Sequence, residues 1–159
     1  MDFSYLSENW FKWTSLAGMS RVAISEECAD CQIFFKSDDQ SFHLRRNGHW
    51  WTVDAVDDRG KRYSATAGFS SFALAEVYLI WRWASVTRSA VGAKQLGREF
   101  HALGMSPSVE VLPTEREYFV ELRASTGSAI LPVSSATVFS HVMPKPLSEI
   151  EQLVHEGLH

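Results

Sequence analysis

The feature that most restricts the fold of this chain is an Asn-Gly pair between two stretches of strand-like sequence. Ser41 to Arg45 alternates between polar and apolar residues ahead of Asn47-Gly48, and Trp50 to Val56 is strand-like after it. Asn-Gly favours the two-residue turn that joins neighbouring antiparallel strands, because both residues tolerate a positive φ. The sequence therefore predicts a β-hairpin over residues 41–56.

Turn signals extend this hairpin on both sides. Gln32 to Ser37 is rich in aromatic and aliphatic residues and ends at a turn, Asp38-Asp39. On the other side, Asp57-Asp58-Arg59-Gly60 forms a second turn signal, and Lys61 to Thr66 is again strand-like. Strands joined by short turns pair with their neighbours. We therefore expect an antiparallel meander over residues 32–69.

A long apolar helix is predicted after the meander. Ser70 or Ser71 is a candidate N-cap, and the helix runs to about Arg88. Its apolar residues occupy nearly the whole circumference, so we expect burial on more than one face. The sheet would cover one face, and the predicted N-terminal helix, residues 7–19, would cover another.

The C-terminal third contains a second, smaller set of predicted elements. Strands are expected at Val109 to Leu112, Tyr118 to Ala124 and Ala129 to Val133, followed by two short helices. The predicted fold class is α+β, with an antiparallel sheet meander packed against a long apolar helix and a smaller C-terminal strand-plus-helix segment. We expect a single domain over residues 1–159; two lobes divided near Gly104 are the alternative.

Charge and hydropathy exclude several kinds of partner. The formal net charge is -4, the pI is about 5.8, and the basic residues are scattered. Nucleic-acid binding requires a positive surface, so we predict no nucleic-acid partner. No apolar stretch approaches the roughly 20 residues of a membrane helix, and the first residues lack the pattern of a signal peptide. We therefore predict no membrane association and a cytoplasmic protein.

The motif Cys28-Ala-Asp-Cys31 has two possible chemical roles. A C-x-x-C pair can be a redox couple or half of a zinc site. A zinc site needs two further ligands, and the sequence has no second C-x-x-C and no H-x-x-x-H pair. A thioredoxin-like pair would precede a helix, whereas a strand follows here. We therefore interpret both cysteines as reduced loop residues and predict no metal.

No other pattern indicates catalysis. The sequence contains no phosphate-binding glycine loop, and Gly68-Phe69-Ser70-Ser71-Phe72 departs from the G-x-S-x-G nucleophile pattern. The acidic clusters fall at predicted turns, where Asp is favoured for local backbone reasons. We therefore predict no enzyme activity, no catalytic residue and no cofactor.

The aromatic content of 13% indicates binding to another protein. Trp50 and Trp51 are adjacent strand residues, so one side chain can enter the core while the other faces outward; burial of both is equally compatible with the pattern. We predict one of them as the anchor of a partner-binding site. Asp57, Asp58 and Arg59 in the following turn would form its polar rim.

Two segments resemble a known family. The first is Gly48 to Arg88, with its Trp-containing strand, its Asp-Arg-Gly turn, and Phe-Ser-Ser-Phe opening a helix that carries Tyr78-Leu79. The second is Phe139-Ser140-His141-Val142-Met143 followed by Leu147-Ser148-Glu149-Ile150. Both are similar to a family of actinobacterial immunity proteins against polymorphic toxins, which includes the immunity factor of the tuberculosis necrotizing toxin, an NAD glycohydrolase.

This resemblance implies an immunity protein that binds a cognate toxin, one to one, and occludes its active site. The toxin would be an NAD-hydrolysing enzyme. The alternative is a small ligand-binding or enzymatic α+β domain, with a pocket lined by Trp50, Trp51, Trp81 and Trp83. A chaperone or adaptor for a secreted substrate is a third hypothesis with the same binding logic.

Overall fold

The computed structural model describes residues 1–158; His159, the last residue of the expected domain, lies outside the described residues. These described residues form eight strands and five helices. In chain order the elements are α1 Ser4–Ala17, β1 Ala23–Ser25, β2 Ile33–Lys36, β3 Ser41–Asn47, β4 Trp50–Val56, β5 Arg62–Phe69, α2 Phe72–Ala90, α3 Gly97–Leu103, β6 Glu110–Pro113, β7 Phe119–Ala124, β8 Gly127–Pro132, α4 Val133–Val142 and α5 Leu147–His155.

All eight strands belong to one antiparallel sheet with the order β1-β2-β3-β4-β5-β8-β7-β6. The hairpin predicted from Asn47-Gly48 is present, and Gly48 has the positive φ, 64°, that this turn requires. The C-terminal strands continue the same sheet, because β5 pairs with β8 through Gly68 opposite Ile130 and Phe69 opposite Ala129. The fold class predicted from the sequence, α+β, is confirmed.

The helices pack on one face of the sheet, which we call the inner face. Inward side chains of α1, α2, α4 and α5 join those of the strands in one core. An aromatic cluster marks its centre: Trp10 of α1 packs on Phe35, Phe42 and Trp83, with ring centroids 4.9–6.1 Å apart. Such pairs add to the stability that burial of the rings already provides.

Helix α2 is the central helix of this layer. The Ser71 hydroxyl accepts a hydrogen bond from the Leu74 amide, which caps the first turn as the sequence predicted. Near its other end, Thr87 donates a hydrogen bond to the Trp13 carbonyl of α1. Across residues 1–158, no helix is long and apolar enough to cross a membrane.

The guanidinium of Arg88, at the end of α2, is buried, and within residues 1–158 its hydrogen-bond partners are all backbone carbonyls. It donates to the carbonyls of Lys94, Val154 and Glu156 at 2.6–3.1 Å. Val154 and Glu156 lie at the C-terminal end of α5, where the helix dipole favours a cation. Arg88 therefore links α5 to α2 through hydrogen bonds.

Candidate binding face of the sheet

The sheet has a second face, opposite the helices, which we call the outer face. Side chains of β3 and β4 alternate, so Phe42 and Leu44 point into the core while His43 and Arg45 lie on the outer face. The strand registers place Thr52, Gly68, Ile130, Glu121 and Leu112 in one row across this face. The row is a mixture of polar and apolar residues, all partly accessible.

The two adjacent tryptophans lie on opposite faces. Trp51 is 4% exposed, with its ring 6.4 Å from Phe3 and 5.3 Å from Phe72. Trp50 is half-buried on the outer face and lies across Gly68, where its Cε3 atom would be 3.7 Å from an added Cβ. The position of Trp50 is therefore the one compatible with a surface anchor, whereas Trp51 is part of the core.

A buried carboxylate stands at the centre of the outer face. Asp54 Oδ1 accepts hydrogen bonds from Arg45 Nη2 at 2.9 Å and from the Ala65 amide at 2.7 Å. Its Oδ2 accepts from Arg45 Nε at 2.9 Å and from Arg62 Nε and Nη2 at 3.0 and 2.8 Å. The Asp54 side chain is 2% exposed, so these donors take the place of the water molecules that solvate an exposed carboxylate.

The balance of these effects decides the ionisation of Asp54. Burial, the largest single effect, raises the pKa of the carboxyl, but the hydrogen bonds from Arg45, the Ala65 amide and Arg62 together outweigh it and lower the pKa. For neighbouring His43, burial and then the charge of Arg62 lower the pKa. The outer face thus holds a fixed ion network of two arginines and one carboxylate.

The Asp54 network also explains an irregularity in the sheet. The β4–β5 register shifts between Val53 and Ala55, and Ala65 takes a positive φ of 51°. Between these two pairs β5 has two more residues than β4, and the irregular segment turns the Ala65 amide toward Asp54, as β-bulges re-aim backbone groups. Sequence reasoning predicted this strand only to Thr66 and contained no indication of the bulge.

The predicted rim residues lie at the opposite end of β4 from Trp50. The Asp57 carboxylate accepts hydrogen bonds from the amides of Arg59 and Lys61, both at 2.9 Å, and so closes its own turn. Asp58 and Arg59 are exposed at the tip. Along β4, Trp50 and Val56 are about 20 Å apart, given the rise of about 3.4 Å per residue, and this tip lies beyond Val56.

Sequence reasoning missed an exposed aromatic at the turn between β6 and β7. Tyr118, predicted to begin a strand, is 76% exposed and has a φ of 67°. Its carbonyl accepts a hydrogen bond from the Val133 amide, which holds this uncommon conformation. Beside it, the Arg116 guanidinium lies 3.7 Å from the ring centroid of Phe119 and donates to the Ala65 carbonyl. An exposed aromatic near the outer face is a candidate contact residue.

The four tryptophans of the alternative hypothesis do not form one pocket. Trp51, Trp81 and Trp83 are buried in the core, while Trp50 lies on the other side of the sheet. Trp81 alone of the four lines a groove of about 490 Å³ beside α4, together with Tyr78.

The two cysteines differ from their predicted state. Cys28 and Cys31 are joined by a disulfide with a Cα–Cα distance of 5.2 Å, whereas the sequence predicted reduced thiols. The pair lies between β1 and β2, followed by a strand as predicted.

Similarity to known proteins supports the family suggested by the sequence. No curated protein matches the chain. Among solved structures, Rv3902c from M. tuberculosis matches with a TM-score of 0.69 at 14% sequence identity, covering 91% of this chain and 85% of that chain. At this identity the similarity shows the fold alone. The family model described as immunity protein 61 matches residues 13–156, which is most of the sequence. The chain therefore belongs to the immunity protein 61 family.

Proposed function

We propose that this immunity protein binds its cognate toxin, one to one, through the outer face of the sheet, and that the toxin is an NAD-hydrolysing enzyme whose active site the complex occludes. In this proposal Trp50 is the anchor, and Asp57, Asp58 and Arg59 form the polar rim. The observation that carries the proposal is the open outer face: the helices cover the inner face, and Trp50 remains accessible on the other side.

The dimensions of the outer face suit a protein partner. A standard interface buries about 800 Å² on each side, a patch roughly 30 Å across. Trp50 begins β4, and the turn at Asp58 follows the other end of the strand, which is about 20 Å away, so one interface can include both. A half-buried Trp beside Ile130 and Gly68 resembles the aromatic anchors that supply most of the binding energy in other complexes.

The mixed charge of the face favours specificity over non-specific attraction. Arg45 and Arg62 are held by Asp54 and still expose 24% and 33% of their side chains. Because these groups are already ordered, a partner carboxylate could bind them with little loss of side-chain entropy. The NAD-hydrolysing nature of the toxin rests on the resemblance of residues 48–88 and 139–150 to the immunity factor's family.

The test is co-expression with the protein encoded beside this chain, followed by size-exclusion chromatography and an NAD-hydrolysis assay. We expect a one-to-one complex in which NAD hydrolysis is silenced. Two separate peaks and unchanged neighbour activity would refute the binding role. A stable complex whose partner never hydrolyses NAD would retain the immunity role and reject the proposed toxin class.

Variants locate the interface. Trp50→Ala should weaken toxin binding by at least about 30-fold, as truncation of a central aromatic anchor does. Asp58→Ala and Arg59→Ala should each cost less than about tenfold, because rim residues contribute little. The matched control is Phe11→Ala, an aromatic that is 48% exposed on α1, on the helical side of the molecule. Equal effects of Trp50→Ala and Phe11→Ala would remove the outer face from the proposal.

A further inference from the structure

The loop between β1 and β2 brings a group of metal-binding side chains together at the edge of the outer face. Cys28, Asp30 and Cys31 from this loop meet His43 of β3, and one ligand atom from each lies within 4.8 Å of the others. The Sγ atoms of Cys28 and Cys31 are both 3.6 Å from His43 Nδ1. Cys28 Sγ is 3.4 Å from Asp30 Oδ1.

This group supplies the two ligands that the sequence did not reveal. The prediction of no metal depended on the absence of a second ligand pair, and the structure instead provides two single ligands from different positions. His43 is twelve residues beyond Cys31, in a strand, and Asp30 lies within the motif itself. Two sulfurs, one imidazole nitrogen and one carboxylate oxygen are a donor set that zinc accepts in tetrahedral sites.

The imidazole is held in position to act as a ligand. Its ring stacks on Phe34, with centroids 4.0 Å apart and planes 5° from parallel, and His43 is only 9% exposed. This stacking directs Nδ1 toward the sulfurs. A ligand fixed by packing loses little entropy when the metal binds.

The carboxylate is also oriented by a neighbouring residue. Arg62 Nη2 lies 3.1 Å from Asp30 Oδ2 and also binds Asp54. Outer groups of this kind orient metal ligands, and their loss typically lowers metal affinity by about 10- to 100-fold. Two thiolates and one carboxylate around a divalent cation leave one net negative charge, which the Arg62 guanidinium balances.

We propose that Cys28, Cys31, His43 and Asp30 bind one Zn²⁺ ion when the cysteines are reduced. Two equivalents of a thiol reductant supply two electrons and two protons, which break the sulfur–sulfur bond to give two cysteine thiols, while the reductant becomes a disulfide. A phosphine achieves the same reduction by taking the oxygen of one water molecule, whose two protons go to the cysteine sulfurs, and becomes a phosphine oxide. Each thiol then loses its proton as its sulfur binds the metal. The bound ion holds the loop of residues 26–32 against β2 and β3.

The test is zinc binding by the whole chain in its two redox states. The reduced, metal-free protein is titrated with Zn²⁺, and bound metal is measured after gel filtration by elemental analysis. We expect one Zn²⁺ per reduced chain and none per disulfide-bonded chain. With Co²⁺ in place of zinc, we expect sulfur-to-cobalt charge-transfer bands and the visible bands of a tetrahedral site. The proposal would be overturned by a reduced chain that binds less than one Zn²⁺, or by a disulfide-bonded chain that binds zinc as tightly as the reduced one.

Variants assign the ligands. Cys28→Ser should lower zinc affinity by more than about 100-fold, and Asp30→Asn, in an exposed loop, by at least about tenfold. His49→Gln is the matched control, because His49 is an exposed histidine at the turn between β3 and β4. The zinc affinity of this variant should equal that of the wild type. Circular dichroism of each variant verifies the fold. Unchanged affinity in both Cys28→Ser and Asp30→Asn would place the metal elsewhere and reject this site.

Discussion

Replacing Asp54 by Asn tests the ion network of the outer face with almost no change of shape. The amide keeps an oxygen, which can still accept from the Ala65 amide at the Oδ1 position. At the Oδ2 position an NH₂ group now faces Arg45 Nε and Arg62 Nε and Nη2, at 2.8–3.0 Å. Three hydrogen bonds are thus replaced by contacts between donors, while two cations lose their counter-charge.

The expected cost follows from the burial of the group. Removing one partner from a buried ion pair costs about 3–5 kcal/mol. Because Arg45 and Arg62 expose 24% and 33% of their side chains, both can turn partly toward water, so we expect the lower end, about 3 kcal/mol. For a domain of this size the melting temperature should fall by about 6–12 °C.

The measurement is urea unfolding followed by tryptophan fluorescence and circular dichroism. Asp58→Asn is the control, because Asp58 is exposed at the next turn and the same chemical change there should alter the free energy of unfolding by less than about 0.5 kcal/mol. If Asp54→Asn lowered the free energy of unfolding by less than about 1 kcal/mol, water would stabilise both arginine side chains as well as the carboxylate does, and the reasoning would be refuted.

Three further predictions concern pH, the C-terminal helix and one turn. The pKa of Asp54 is lower in the folded chain than its ordinary value of 3.8, so the ionised carboxylate stabilises the fold fully above that pH, and this stabilisation is lost as the pH falls through the folded pKa. The difference in free energy of unfolding between wild type and Asp54→Asn should therefore become smaller in acid unfolding below about pH 4. Arg88→Met leaves three carbonyls without their donor and should lower the free energy of unfolding by about 3 kcal/mol in urea. An unchanged urea midpoint would show that Arg88 does not stabilise the packing of α5 on α2. Gly127→Ala places a Cβ 2.6 Å from Ser70 Oγ at a φ of +135°, so we expect the free energy of unfolding to fall by about 3 kcal/mol. The control Gly48→Ala, whose Cβ meets no atom within 4 Å, should lower it by about 1 kcal/mol; equal shifts of the melting temperature in the two variants would disprove the steric argument.

The sequence by itself determined the local elements of this protein. The Asn47-Gly48 turn, the Ser71 cap and the apolar character of residues 72–88 each depend on neighbouring residues, so turn chemistry and periodicity predict them. The α+β class followed from these elements, and the resemblance of two segments indicated the family that the match over residues 13–156 shows. Helix starts were less accurate: the N-terminal helix was expected over residues 7–19 and forms over Ser4–Ala17, because it begins after Phe3 without a side-chain cap.

Only the tertiary structure decided which distant elements meet. The pairing of β5 with β8 joins two strand groups into one sheet, although about sixty residues separate them. Alternation along β4 placed Trp50 and Trp51 on opposite faces, but the face covered by helices decided which one is buried. Asp54 with its two arginines, and Cys28 and Cys31 with His43, likewise come together through strand register. These contacts depend on packing between residues far apart in the chain, which no local pattern of the sequence encodes.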